Sequence, residues 1–131
     1  MKTLLIVGLG GGLGSMLRYL VTYFVTSRIT HLTRFPAIFG TLAVNFAGCL
    51  LIGVAIGLSE RYEWFSPQMR LFVAAGICGG YTTFSAFAYE NISLIRNGNC
   101  LVSLIYISVS VVICLFATYI GFAIVNQNCR N

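Results

Sequence analysis

Residues 76–87 read GICGGYTTFSAF, and this stretch decides the fold. It lies in an uncharged run between Arg70 and Glu90 that is long enough to cross a bilayer, which needs about 20 mostly apolar residues. Glycines and β-branched threonines disfavour a continuous helix here. Irregular backbone at membrane depth is tolerated only where it is buried in protein or lines a cavity. The stretch therefore predicts a membrane helix broken at its centre, with freed carbonyls that can bind a cation; a kinked packing helix is the alternative.

Uncharged runs elsewhere predict three further spans. Residues 35–59 and 97–129 carry no charge, and residues 3–27 are interrupted only by Arg18. The chain is 58% hydrophobic and 8% charged, whereas soluble domains are about half apolar and a quarter charged. A cleavable signal peptide is the rival interpretation of the first run, but Arg18 and the lack of a small-x-small cleavage site weigh against it.

The sequence thus predicts an all-α integral membrane protein with a single transmembrane domain over residues 1–131. Its four spans are expected at about residues 3–27, 36–58, 69–94 and 99–126.

The basic residues are scattered singly at the ends of these spans, which indicates membrane anchoring and argues against a nucleic-acid partner despite the net charge of +5. Four of them fall on one side and three on the other, so the positive-inside difference is 4 − 3 = 1. Such a small bias permits insertion both ways round and an antiparallel homodimer; a single orientation is the alternative. The two sets are Lys2, Arg61, Arg70, Arg130 and Arg28, Arg34, Arg96.

Glycines at four-residue spacing predict close helix contacts. The pairs are Gly8 with Gly12, Gly10 with Gly14, Gly53 with Gly57, and Gly76 with Gly80. The five cysteines contain no CxxC pair, so they indicate neither a zinc site nor a disulfide framework and are interpreted as small packing residues. They are Cys49, Cys78, Cys100, Cys114 and Cys129. The glycosylation sequon at Asn91 lies inside a predicted span and is interpreted as chance.

Polar side chains within the spans predict an anion path. Arg18 is costly in a membrane, so it either snorkels toward a headgroup or attracts an anion at a pore mouth. Hydroxyls and an amide can donate hydrogen bonds to a small anion, and the positive ring edges of Phe84 and Phe87 add to this. A proton-coupled exporter needs a membrane-buried carboxylate, and only Glu90, near a helix end, is even a poor candidate. The polar donors are Asn45, Thr82, Thr83, Ser85, Tyr106 and Ser110.

Three motifs in order resemble the Fluc/CrcB family of fluoride channels, and the resemblance covers nearly the whole chain. They are GGLGSMLRY at residues 11–19, GTLAVNFAG at 40–48 and GGYTTFSAF at 79–87. The resemblance implies a channel and not an enzyme: an antiparallel, dual-topology homodimer in the bacterial inner membrane. Two pores, each lined by both subunits, would export fluoride passively and lower its cellular concentration.

The resemblance also implies roles for individual residues. Asn45 would donate its amide to fluoride, and Phe84 and Phe87 would present ring edges to it. Carbonyls of Gly79 and Thr82 from both chains would hold a structural sodium ion on the dimer axis. The remaining residues would form the polar track and the pore entrance: Thr83, Ser85, Tyr106, Ser110 and Arg18.

Two positions depart from the family pattern: Ala86 replaces a usual threonine, and Cys114 stands where a further hydroxyl of the polar track is common. Both weaken the polar track locally. The leading alternative function is a small multidrug-type, proton-coupled antiporter, which would also have four helices. A membrane subunit that only packs against a larger partner would explain the glycines but leaves Arg18 and Asn45 without a purpose.

Overall fold

The structure is a computed structural model that describes residues 1–127; Cys129 and Arg130, counted above among the cysteines and charged anchors, lie outside the described residues. Four helical spans are long and apolar enough to cross a membrane, and residues 1–127 contain no strand. The predicted all-α architecture is therefore confirmed, and the chain is a multi-pass membrane protein. The spans are α1 (Lys2–Ile29), α2 (Pro36–Arg61), a third span (Pro67–Arg96) and α5 (Cys100–Gln127).

The third span is broken at its centre, as predicted. Its first half, α3, covers residues 67–81 and includes the wider π-helical turns of Leu71–Cys78. Thr82 and Thr83 are extended, with φ, ψ of −78°, 156° and −145°, 116°. The second half is α4 (Phe84–Arg96). Thr83 caps its N-terminus, because the Thr83 hydroxyl accepts a hydrogen bond from the Ala86 N–H at 3.2 Å. Two extended residues thus expose backbone groups in mid-membrane.

Glycines set the closest contact between α2 and α5, the two helices that pack most extensively against each other. A β-carbon added at Gly53 would strike the Thr118 carbonyl of α5, and one added at Gly121 would strike the Leu50 carbonyl of α2. The two backbones touch here without intervening side chains, which is how small residues stabilise helix pairs in membranes. The predicted Gly53 and Gly57 contact is confirmed.

Glycines also hold α1 against α3. A β-carbon at Gly10 would come within 2.8 Å of the Phe72 carbonyl oxygen, and Gly14 and Gly80 sit equally close to backbone on the facing helix. The Gly8 and Gly12 pair makes no close contact within the described chain, because a β-carbon at either position meets no described atom within 4 Å. These two residues lie on the outward face of α1, since helical geometry turns them away from Gly10 and Gly14.

Large apolar side chains cover the outside of the bundle, whereas the buried core is small. Exposed fractions reach 68% for Leu9, 70% for Leu101 and 67% for Leu115. Lipid solvates such surfaces, so the driving force for packing comes from close backbone contact and hydrogen bonds. Where α2 ends, the Arg61 guanidinium donates to the Val125 carbonyl of α5, which ties the ends of the two helices together.

Candidate functional site

A cavity of about 270 Å³ opens beside the break in the third span. It lies between α2 and α5, and the extended residues Thr82 and Thr83 form one wall. None of the described residues that line it is charged, so it offers hydrogen-bond donors, ring edges and thiols. The lining is Asn45, Cys49, Thr82, Thr83, Phe84, Phe87, Ser110, Val111 and Cys114.

Asn45 binds the broken backbone twice. The Thr83 N–H donates to its Oδ1 at 2.8 Å, and its Nδ2 donates to the Thr83 carbonyl at 3.1 Å. The first bond fixes which amide atom is oxygen, because a backbone N–H can only donate. Of the two N–H donors of the amide, one holds Thr83 and one remains for a ligand. Asn45 therefore both supports the break and lines the cavity.

The two phenylalanines form an aromatic row with a tyrosine from α5. The ring centroids of Phe84 and Phe87 are 5.6 Å apart, and those of Phe87 and Tyr106 are 5.0 Å apart with the planes inclined at 62°. An inclined pair points a positive ring edge toward its neighbour. Phe84 is 79% exposed, so this ring projects outward at the mouth of the cavity. The structure thus brings Phe84, Phe87 and Tyr106 together as one cluster.

Two hydroxyls near the cavity differ in their bonding. Ser110 is buried, and its Oγ has no hydrogen-bond partner among the described residues. A buried hydroxyl without a partner costs free energy, about 1–3 kcal/mol, unless a ligand or water satisfies it. Ser85 is exposed, lies outside the cavity lining and shares a 3.2 Å hydrogen bond with the Thr83 hydroxyl. Ser110 therefore lines the cavity directly, whereas Ser85 borders the break.

Glu90 and Thr41 lie beside the aromatic row. The sequence indicated Glu90 only as a poor candidate for a proton-exchanging carboxylate, and it did not single out Thr41. The Thr41 hydroxyl donates to Glu90 Oε1 at 2.6 Å, and the Tyr106 hydroxyl donates to Oε2 at 2.8 Å. Glu90 also lines a second cavity of about 290 Å³ together with Arg34. Phe87 lines the central cavity, and Tyr106, whose ring contacts that of Phe87, is bonded to Glu90 at the second cavity. Two features of the sequence could have indicated these residues: Glu90 is a single carboxylate next to an uncharged run, and Thr41 lies inside the GTLAVNFAG motif.

Arg18 reaches the break from α1. Its Nη1 donates to the Thr82 carbonyl at 3.2 Å, so the guanidinium faces protein at the centre of the bundle. The extended conformation of Thr82 frees this carbonyl from the helical ladder, and Gly79, three residues earlier, is exposed. A carbonyl has two lone pairs, so Thr82 can accept from Arg18 and still coordinate a cation. Such a carbonyl oxygen is a suitable ligand for a hard cation such as sodium.

A buried polar pair ties α4 to α5 one turn from the aromatic row. The Ser103 hydroxyl donates to Asn91 Oδ1 at 2.8 Å, and Asn91 Nδ2 donates to the Phe87 carbonyl at 2.8 Å. Asn91 is 6% exposed and Ser103 is 1% exposed. Asn91 is thus an interhelical contact, which agrees with the interpretation of its sequon as chance.

The family comparison agrees with these motifs. The model of the family described as "CrcB-like protein, Camphor Resistance (CrcB)" matches residues 5–122. The chain belongs to the CrcB-like family. The matched region contains all three motifs and every residue that lines the central cavity.

Curated CrcB-like relatives align over most of their length. A protein named fluoride-specific ion channel FluC from Flavobacterium psychrophilum is 46% identical over 127 residues, which is 97% of this chain and 99% of the relative. A relative with the same name from Chlorobium phaeobacteroides is 47% identical over 118 residues, 90% of this chain and 88% of its own. A third relative with this name, from Leptospira interrogans, is 40% identical over 111 residues, which is 85% of this chain and 84% of the relative.

Proposed function

We propose that the chain is a fluoride-selective ion channel that exports fluoride from the cytoplasm and is not an enzyme. The observation that carries this function is the uncharged central cavity at the depth of the helix break. Its wall combines a free amide donor of Asn45, the unpartnered Ser110 hydroxyl and the phenylalanine rings. Hydrogen-bond donors and positive ring edges suit a small, strongly hydrated anion, and fluoride fits this description best.

The ion path runs through both cavities. Fluoride enters the second cavity beside Arg34, passes the Tyr106 and Phe87 rings, and reaches Asn45 and Ser110 in the central cavity. The Phe87 and Tyr106 rings contact each other, with centroids 5.0 Å apart, so an ion that passes beside them must replace its hydration shell with donors from the wall. Chloride is larger than fluoride and costs less free energy to dehydrate. It also gains less interaction free energy from closely spaced donors. The selectivity for fluoride over chloride therefore depends on the width of the pore and on the hydrogen-bond donors that line it.

The channel needs no coupled energy source. A weak acid enters the cell neutral and dissociates, and an inside-negative membrane potential contributes about 2.3 kcal/mol per 100 mV toward expelling one negative charge. The inner membrane of a bacterium supplies this potential. A passive path is therefore sufficient to lower the cellular fluoride concentration.

The working unit is an antiparallel homodimer. Phe84 is 79% exposed and the central cavity is open at its side, so a second chain is needed to enclose the path. The nearly balanced basic residues permit the opposite insertion that this symmetry requires. Carbonyls of Gly79 and Thr82 from both chains would hold a sodium ion on the axis, where the ion would join the two subunits and have no part in fluoride movement.

A proton-coupled antiporter is the competing function, and Glu90 is the residue that it would use. The two functions differ in what drives transport. Purified protein in liposomes, clamped at fixed voltage with potassium and its ionophore, separates them when an imposed proton gradient is present or absent at neutral pH. Fluoride flux that follows voltage and ignores the proton gradient supports the channel. Flux that follows the proton gradient at constant voltage contradicts it.

A further inference from the structure

The cysteines near the central cavity are arranged as a pair. Cys49 follows Asn45 by four residues on α2, and Cys114 follows Ser110 by four residues on α5. Each thiol therefore lies one helical turn beyond a polar residue on the same face. Both line the central cavity, and neither is in a disulfide. The two thiols therefore line one cavity, one from α2 and the other from α5.

The position of the pair is fixed by the backbone contact just beyond it. Gly53 lies against the Thr118 carbonyl, and these two residues follow Cys49 and Cys114 by four positions each, about one helical turn. Because the helices touch there without intervening side chains, the backbones of α2 and α5 are in contact about one turn beyond the two thiols.

We infer that Cys49 and Cys114 form a two-thiol binding site for a soft, two-coordinate metal cation, and that a cation held there blocks the ion path. This inference rests on the proposed channel function for its second half only. Thiolates are the ligands that soft cations such as Cu⁺, Ag⁺ and Hg²⁺ prefer, and two thiols that line one cavity from neighbouring helices can supply the two ligands that these ions take. Both ligands come from one chain, Cys49 from α2 and Cys114 from α5.

The number of ligands excludes harder or four-coordinate metals. Among residues 1–127, no group of three or more histidine, cysteine, aspartate or glutamate side chains could hold a metal ion. Zinc usually requires four protein ligands or three with a water. A two-thiol site therefore selects monovalent coinage metals and mercury.

Binding changes the charge of the cavity. Each thiol loses one proton to water as its S–M bond forms, and no electron is transferred. Two thiolates and one Ag⁺ or Cu⁺ carry a net charge of −1 in a wall that is otherwise uncharged. A negative charge in a low-dielectric cavity repels fluoride, and the metal also occupies the space beside Asn45 and Ser110. Block thus has both an electrostatic and a steric cause.

Silver is the probe that tests the site, because silver fluoride is soluble and chloride can be left out. In liposomes holding the purified protein, we expect Ag⁺ to stop fluoride efflux and an added thiol such as glutathione to restore it. Cys49→Ala and Cys114→Ser should each raise the half-blocking concentration by about tenfold or more, since one sulfur cannot hold a two-coordinate ion. Cys100→Ser removes an exposed thiol and should keep the wild-type block. Block that survives in both pair variants overturns the inference.

The number of Ag⁺ ions bound per chain tests the site independently of conduction, including in a variant that conducts poorly. In a chain whose other three cysteines are replaced by alanine, calorimetric titration with Ag⁺ should give one ion per chain. Two ions per chain, or none, overturns the inference. Selective fluoride efflux without silver block leaves the channel standing and removes only the thiol site. Absence of efflux in untreated protein counts against the channel, whereas the calorimetric count still decides the metal site.

Discussion

Asn45 and Thr83 exchange two hydrogen bonds across the interface between α2 and the break in the third span, at 2.8 Å and 3.1 Å. A side-chain amide reproduces here the donor and acceptor that a neighbouring turn of helix would have supplied. The extended backbone is thereby satisfied inside the membrane, where each unpaired group is costly. The same amide keeps one donor directed to the cavity, so the support of the break and the recognition of the ion depend on one residue.

Replacing Asn45 with aspartate separates these two roles. Asn45→Asp retains an oxygen that accepts from the Thr83 N–H, but it loses both amide donors and adds a negative charge to the cavity wall. We expect fluoride efflux to fall by about tenfold or more, because an anion then meets repulsion where it had a donor. Efflux from liposomes measures the effect, with Asn99→Asp as the matched change at a position that lines neither cavity. Wild-type flux in Asn45→Asp would remove this residue from the path.

The phenylalanine rings should be essential for conduction but not for folding. Phe84→Ile and Phe87→Ile keep apolar bulk and remove the ring edges, so each should nearly abolish fluoride passage. Phe116→Ile makes the same change on the lipid-facing surface of α5, where the ring is 63% exposed, and should leave the flux unaltered. Elution from a size-exclusion column in detergent checks that each variant assembles. Normal flux in both Phe84→Ile and Phe87→Ile would show that the rings do not line the path.

The Asn91 and Ser103 pair should stabilise the packing of α4 on α5. Removing either partner leaves a buried polar group unpaired, so Asn91→Ala and Ser103→Ala should each lower the thermal stability of the protein in detergent. Combining them should cost less than the sum, with a coupling of about 1 kcal/mol. Asn97→Ala breaks a similar 2.8 Å bond to the Ser93 carbonyl at an exposed position and should have little effect. Additive losses would mean that the two side chains do not interact.

Close packing of α2 on α5 should tolerate no added methyl group. Gly53→Ala places a β-carbon against the Thr118 carbonyl, so the helices must separate, at a cost of about 1–3 kcal/mol. We expect a lower midpoint of thermal aggregation and reduced efflux. Gly12→Ala adds the same methyl where the described chain offers open space, so its midpoint should match the wild type. Similar losses in the two variants would contradict the assigned helix contact.

The sequence predicted the fold well because membrane constraints act on runs of residues. Uncharged stretches of sufficient length gave four spans whose ends differ from the structure by a few residues, and the GICGGYTTFSAF stretch located the break. Resemblance supplied the identity of the ion, and residues such as Asn45 and Phe87 were found because they stand inside specific motifs. The structure then placed both at the same cavity.

The roles of the remaining residues required three-dimensional contacts. Glu90 looked like the carboxylate of a helix end, but the bend of the third span carries it to Thr41 and Tyr106, which are distant in sequence. Cys49 and Cys114 were interpreted as packing residues, since spacing alone does not reveal which helix faces meet. The Gly8 and Gly12 pair has the packing signature but contacts no described neighbour, because a four-residue spacing does not say whether a partner lies within the chain.

Ion selectivity is the central claim, and fluoride efflux from liposomes tests it most directly. Vesicles loaded with potassium fluoride or potassium chloride receive purified protein, and a potassium ionophore relieves the opposing voltage while an ion-selective electrode follows each anion. We predict rapid release of fluoride and no release of chloride above that of protein-free vesicles. Equal release of both anions, or no fluoride release from protein that elutes as a single assembled species, would contradict the assignment of a fluoride-selective channel.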